Sequence, residues 1–304
     1  MIQKIKDCWD QSIATGNSLP IVLRGAPDDR GILNVGGRIG AGYGPSAVRG
    51  LLGEFMLGLD GTLKPGIGNA FIARGGDIGY YPAIEDSHHA LRSMVRRDLS
   101  AGAVPVVIGG GHDYGYPHVA AASDVFSAEN IVLINVDAHL DVRPVSDGVM
   151  TSGSPFFMAL ESGVIHSKNF IEFGIQEHCN DISFNEYLSN KKVRILSLAK
   201  TRSGRGVAAH FKKILSNFKN KKIKIVVSFD VDAVRMSQAP GVSAPQTDGF
   251  SAREFLEMAE ISGSFKNVAT IGFFELSPPL DIHQATVRLV ATAIHRFATA
   301  VGKR

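Results

Sequence analysis

Three short segments concentrate side chains that bind metal: Gly109-Gly110-Gly111-His112-Asp113, Asp137-Ala138-His139-Leu140-Asp141 and Asp230-Val231-Asp232. Each follows an apolar run, VPVVI, IVLINV and IKIVVSF respectively. Carboxylates and imidazoles together form an all-nitrogen-and-oxygen ligand set, suited to Mn and less specifically to Zn, Ni or Fe. In an extended segment, residues i, i+2 and i+4 point to one side. Asp137, His139 and Asp141 have that spacing, as do Asp230 and Asp232. The small Ala138 leaves room between its neighbours, and Gly109 to Gly111 let the backbone turn sharply and approach closely.

Each segment alone has a plainer reading. GGGHD reads as a tight turn before a helix, and DVD reads as a pair of caps or a lone Mg2+ site. Together at three strand ends they reinforce one another as ligands of one centre. The charges agree. Asp137, Asp141, Asp230 and Asp232 with two neutral imidazoles carry a formal −4, which two divalent cations balance. Without cations the clustered carboxylates would repel and several would have to protonate. Two cations sharing a water would acidify it enough to supply hydroxide near neutral pH.

The elements that must position these residues are legible as short apolar runs alternating with amphipathic stretches. Strands are expected at Ile21–Leu23, Ala70–Ala73, Val104–Ile108, Ile131–Val136, Phe170–Phe173, Val193–Leu198, Ile223–Phe229 and Val268–Phe274. Their continuous Val and Ile content is that of strands buried on both faces. Helices are expected at Ser87–Ala101, Asn185–Leu188, Gly206–Phe218, Ser251–Ile261 and Ile282–Ala300. The alternation argues for a parallel sheet with helices on both faces. In such sheets ligands bind outside the carboxyl ends of the strands, so the three segments should converge there. No repeat or low-complexity linker divides residues 1–304, which read as one domain. The long loops at 28–45, 141–155 and 231–249 are candidates for function.

Composition narrows the classes. Of 304 residues 44% are hydrophobic, which excludes a disordered chain, and a net charge of +3 gives no general pull toward nucleic acid. The run Lys219, Lys221, Lys222 and Lys224 reads as a solvated helix end or loop. Cys8 and Cys179 fit no metal or disulfide pattern. The N-terminus does not read as a signal peptide and no stretch is apolar enough for a membrane span, so a cytoplasmic protein is expected. GGRIGAGYGP meets neither a dinucleotide nor a Walker A pattern. His88 and His89 are expected to face solvent, and His166 and His178 to be ordinary surface or core histidines. Tyr114 and Tyr116 are expected to pack locally.

GGGHD, DAHLD and SFDVD, with GAPDDRGILNVGGRIGAGYGPSAVR at 25–49 and ELSPPLD at 275–281, resemble the signature segments of the ureohydrolases, the superfamily of arginase, agmatinase and formimidoylglutamase. The resemblance implies a three-layer α/β/α fold around a mostly parallel eight-stranded sheet, and a centre of two Mn2+. It implies that His112, Asp137, Asp141 and Asp230 hold one ion, and Asp137, His139, Asp230 and Asp232 the other. Asp141 would orient the attacking hydroxide. Glu275 resembles the family's substrate-side glutamate, although a structural cap after the last strand is the plainer alternative.

Within the superfamily, arginase and agmatinase share an Asn-x-His-Gly segment after the second motif, which this chain lacks. It has instead Arg143 followed by Ser152-Gly153-Ser154-Pro155-Phe156, similar to the SGTPF of formimidoylglutamase. Arg143, Ser152 and Gly153 are therefore candidate substrate contacts. A bidentate arginine suits the carboxylates of formimidoylglutamate, although pairing with Asp147 or bracing the loop would serve Arg143 equally. The resemblance thus implies hydrolysis of N-formimidoyl-L-glutamate to glutamate and formamide, a step of histidine degradation. The alternative is a guanidine hydrolase that releases urea. A small-molecule substrate and a homo-oligomer are expected, with no nucleic-acid or membrane partner.

Overall fold

The computed structural model describes residues 19–55, 70–146, 148–219 and 222–304. Eight strands form one sheet: β1 (Leu19–Gly25), β2 (Ala70–Asp77), β3 (Val104–Ile108), β4 (Ile131–Val136), β5 (Phe170–Ile175), β6 (Arg194–Ser197), β7 (Lys224–Asp230) and β8 (Val268–Phe274). Their order is β2-β1-β3-β8-β7-β4-β5-β6, and every pairing is parallel. β3, β4 and β5 are buried along their whole length. Their β-branched side chains suit a sheet covered on both faces.

Alternate strand residues feed two cores. Val132, Ile134 and Val136 of β4 join the one built with α2 (Gly44–Gly53), α8 (Val207–Ser216), α9 (Ala252–Ser264) and α10 (Ala285–Gly302). Ile131 and Leu133 join the other, with α3 (Ile84–Ser100), α4 (Gly115–Phe126), α5 (Pro155–Glu161) and α6 (Ile182–Asn190). Short helices α1 (Arg30–Asn34) and α7 (Leu198–Arg202) complete the described set. The architecture is three-layer α/β/α with an all-parallel eight-stranded sheet. α9 starts on a capping box, in which Ser251 and Glu254 each satisfy the other's backbone N–H. α10 lays Val287, Val290, Ala291, Ile294 and Phe297 on the sheet at helical spacing.

Three helices missing from the sequence expectation lack the signals that reveal the others. α4 buries Val119, Ala120, Ala121 and Ala122 in succession, so it shows no amphipathic period. α2 and α5 are short and open with Pro45 and Pro155 in the first turn. His88 corrects another expectation. It is buried on α3, with Nε2 2.7 Å from Asp113 Oδ2, while His89 is exposed. Among the described residues no helix is long and apolar enough to cross a membrane. Cys179 is a free thiol, and Cys8 lies outside the described residues.

Candidate metal centre

The four central strands lie side by side in the order β3-β8-β7-β4, and all run the same way. Their carboxyl ends therefore open on one edge, and each delivers part of one site. Past β3 the chain packs tightly: a Cβ on Gly110 would stand 1.8 Å from the carbonyl oxygen of Asp28. Glycine is needed there for close approach. His112 then opens a short 3-10 turn leading into α4.

The aspartate segments reach the site by turns, not by the extended alternation read from the spacing. β4 ends at Val136, and Asp137 folds its carboxylate back so that Oδ1 accepts the His139 N–H at 2.7 Å. Asp230, the last residue of β7, does the same for Asp232 at 2.8 Å. An aspartate that bonds the backbone two residues on forms a local turn, which sets ligands i and i+2 side by side. Asp141 sits at φ 48° and Glu275 at φ 67°, in the left-handed region that non-glycine residues rarely occupy.

His112 Nδ1 lies 3.2 Å from Asp137 Oδ2, 2.9 Å from Asp141 Oδ2 and 3.0 Å from Asp230 Oδ2. His139 Nδ1 lies 3.5 Å from both Asp137 Oδ1 and Asp232 Oδ1. Two groups result in which the ligand atoms lie within 4.8 Å of one another: His112, Asp137, Asp141 and Asp230; and Asp137, His139 and Asp232. Asp137 belongs to both. Asp230 joins the first, its other oxygen being turned to the Asp232 N–H.

The donor set fits two divalent cations. His112 Nδ1 and Asp232 Oδ1 are buried with no hydrogen-bond partner among the described residues, which is costly unless an ion engages them. The ring of His112 is held on three sides. Phe274 stacks on it at 4.9 Å, Phe156 meets it edge-on at 5.3 Å, and Nε2 lies 2.8 Å from Ser228 Oγ. With Nε2–H donating to Ser228, the Nδ1 lone pair faces the carboxylates. Behind Asp137, Asn135 Nδ2 donates to its Oδ2 at 3.2 Å and to the buried Glu172 at 3.0 Å.

Without cations the electrostatics are frustrated. Burial, reinforced by the neighbouring Asp232 and Asp137, pushes Asp230 far above the ordinary carboxylate range. Burial likewise lifts Asp232 to about 6, against the pull of His139, and lifts Asp141 with help from Asp137. Burial would also raise Asp137, but the adjoining His112 and His139 rings hold it below its usual value. Burial opposes charge on both histidines, yet the surrounding aspartates raise both.

Above this floor opens a cavity of about 260 Å³, lined by His139, Asp141, Asp230, Asp232 and Glu275 and, from the loops, by Arg143, Ser152 and Gly153. All the residues anticipated as catalytic or substrate contacts therefore reach one space. Glu275 is buried, accepts the His112 backbone N–H at 2.7 Å and contacts the Ser243 hydroxyl. Burial, then the Asp230 charge, pushes its carboxyl well up. Arg143 is exposed, its guanidinium 5.7 Å from the Phe184 ring centroid. Its backbone N–H donates to Gly153 O at 2.7 Å. Asp147, the other partner considered for it, lies outside the described residues. Ser154 serves the loop: its hydroxyl bonds both the N–H and the C=O of Thr151. Ser228, Phe274, Phe156, Asn135 and Ser243 were not singled out from sequence. Ser228, Phe274 and Asn135 lie within two residues of a ligand candidate or Glu275, and that proximity is the signal that could have found them.

A doubly wound parallel sheet with a His/Asp metal site at its central carboxyl edge defines the class. The arginase family model matches residues 19–299, and the chain belongs to that family. It is 28% identical over 306 residues to a formimidoylglutamase of Streptococcus pyogenes, with 97% of this chain and 88% of that protein covered. The structure of a Trypanosoma cruzi formiminoglutamase with Mn2+ superimposes with a TM-score of 0.86 at 31% identity, covering 100% of both chains. That of formimidoylglutamase from Bacillus subtilis gives 0.87 at 26% identity, covering 99% of this chain and 92% of the other.

Proposed function

We propose that the chain is a single-domain, binuclear manganese hydrolase that cleaves N-formimidoyl-L-glutamate to L-glutamate and formamide. The observation that carries this is the pair of ligand groups sharing Asp137, set in the floor of a cavity whose rim bears Arg143. The manganese of the Trypanosoma cruzi structure and the names of the relatives support it. In this reading the six ligands His112, Asp137, His139, Asp141, Asp230 and Asp232 hold both ions. The ions, when bound, neutralise the carboxylates and acidify a shared water.

The remaining roles fall to the chain's own residues. Asp141 orients the water toward the amidine carbon, its carboxylate aimed by the unusual backbone at that residue. Glu275 accepts N–H groups of the amidinium, which a carboxylate fixed by His112 N–H and Ser243 is placed to do. Arg143 takes a carboxylate of the glutamate part as a two-pronged donor, beside the turn of Ser152 and Gly153. The water oxygen joins the formimidoyl carbon, the bond from that carbon to the glutamate nitrogen breaks, and the nitrogen departs with a proton as the amine.

Turnover of formimidoylglutamate, arginine and agmatine by the Mn2+-reconstituted protein tests the reading. Formamide should appear, with formimidoylglutamate the fastest substrate. Urea from arginine or agmatine at a higher rate would replace it with the guanidine reading. Arg143→Met should lower kcat/KM for formimidoylglutamate at least tenfold, on the order of 1.4 kcal/mol. A cytoplasmic homo-oligomer is part of the same proposal, checked by sedimentation of the purified protein.

A further inference from the structure

The loop that carries Asp137, His139 and Asp141 has no regular structure of its own, and one of its residues sits at φ 48°. Something outside it must fix its shape. Asn180, on the wall of the same cavity, makes three short hydrogen bonds with its side-chain amide. Its Oδ1 accepts the Leu140 N–H at 2.8 Å. Its Nδ2 donates to Ala138 O at 2.9 Å and to Gln176 O at 2.7 Å. Ala138 stands between ligands Asp137 and His139, and Leu140 between His139 and Asp141. One side chain thus grips both intervening residues by their backbones.

Asn180 is itself well anchored. β5 precedes it, and the backbone of Gln176 on that side also donates to Ala138 O at 3.0 Å. α6 follows, its first turn capped by Asp181, which accepts the Ser183 N–H at 2.9 Å. On the far side of the left-handed residue, Phe156 N–H donates to Asp141 O at 3.1 Å. The strained backbone is therefore clamped before and after, the condition under which such a conformation persists. Both amide hydrogens of Asn180 are used, so it has no donor left for a substrate, although it faces the cavity.

We propose that Asn180 is a positioning residue of the metal centre, fixing His139 and Asp141 through the backbones of Ala138 and Leu140. This rests on the binuclear reading above. Small displacements of ligands cost affinity and rate out of proportion to the energy of the bonds that hold them.

The test is Mn2+ titration of metal-stripped protein by calorimetry, with steady-state kinetics at saturating Mn2+. The variants are Asn180→Ala and the isosteric Asn180→Asp. The aspartate keeps the acceptor for Leu140 but sets a charged oxygen against the carbonyls of Ala138 and Gln176. Both variants should bind at least one of two Mn2+ tenfold or more weakly. Both should lose at least tenfold in kcat, with KM within twofold of the parent. Should the alanine variant fail to fold, the aspartate variant decides. Mn2+ affinity and kcat within twofold of the parent would overturn the proposal. So would a rise in KM alone, which would make Asn180 a substrate contact. A parent that takes up fewer than two Mn2+ overturns the binuclear reading instead, and that result is seen before any variant is compared.

Discussion

Replacing Ser228 by alanine removes one oxygen atom from the core and should be felt by the metal. Ser228 and His112 are each 1% exposed, and the 2.8 Å contact between Oγ and Nε2 is the one hydrogen bond of that imidazole among the described residues. Losing the acceptor strands a buried ring N–H, which costs about 1–3 kcal/mol of folding stability. It also frees the ring to carry its proton on Nδ1, the atom that faces Asp137, Asp141 and Asp230. Outer partners of metal-binding histidines typically matter ~10–100-fold in affinity. Ser228→Ala should therefore weaken Mn2+ binding at the His112 site by about that factor, equivalent to roughly 1.4–2.8 kcal/mol. Phe274 still stacks on the ring and Phe156 still meets it edge-on, so the site should weaken without collapsing. Denaturant titration of the stripped protein reads the first effect, and Mn2+ calorimetry the second. Lower stability with unchanged Mn2+ affinity would refute the claim that this hydroxyl sets the tautomer.

Three other outcomes follow from the same geometry. Asp137→Asn should abolish binding of both Mn2+ because Asp137 is shared, whereas His139→Ala should spare the His112 site; metal analysis after dialysis distinguishes them. The metal-free protein should gain stability as pH falls from about 7 toward 5. Its raised carboxyls, Asp232 at about 6 among them, take up protons in the folded state before the unfolded one does, and its raised histidines act in the same sense. The Mn2+-loaded protein should lose stability over that range, since protons compete for the ligands; parallel melts at several pH values would show the opposed slopes, and equal slopes would contradict the frustrated cluster. Gly110→Ala should destabilise by about 1–3 kcal/mol or more, because its Cβ would meet the Asp28 carbonyl at 1.8 Å, and a chemical melt indistinguishable from the parent would show that the two loops are not pressed together.

The sheet was legible in the sequence because its strands are buried on both faces. A strand such as Val104–Ile108 is then continuously apolar, whatever its neighbours, and its start and end show as changes in residue type. The helices were legible only where one side met water. α10 has a polar face and α4 has almost none, so α10 showed a period and α4 did not. His88 was misplaced for a related reason. Its sequence neighbours are charged, but its direction on α3 is inward, to an aspartate that follows the third strand.

The six proposed metal ligands were legible by residue type and by their position at strand ends, since so many carboxylates can share a core only with compensating charge. How they meet was decided by tertiary structure. Strand order is not written locally, and it is the insertion of β8 between β3 and β7 that brings Glu275 beneath His112. The turns that aim Asp137 and Asp230 depend on single side-chain bonds, which a two-residue spacing matches as well as it matches a strand. Asn180 grips Leu140 from forty residues away, and Ser228 holds a histidine 116 residues distant. An asparagine or a serine carries no mark of such a partner, because its hydrogen bonds are satisfied by whatever the fold sets in front of it.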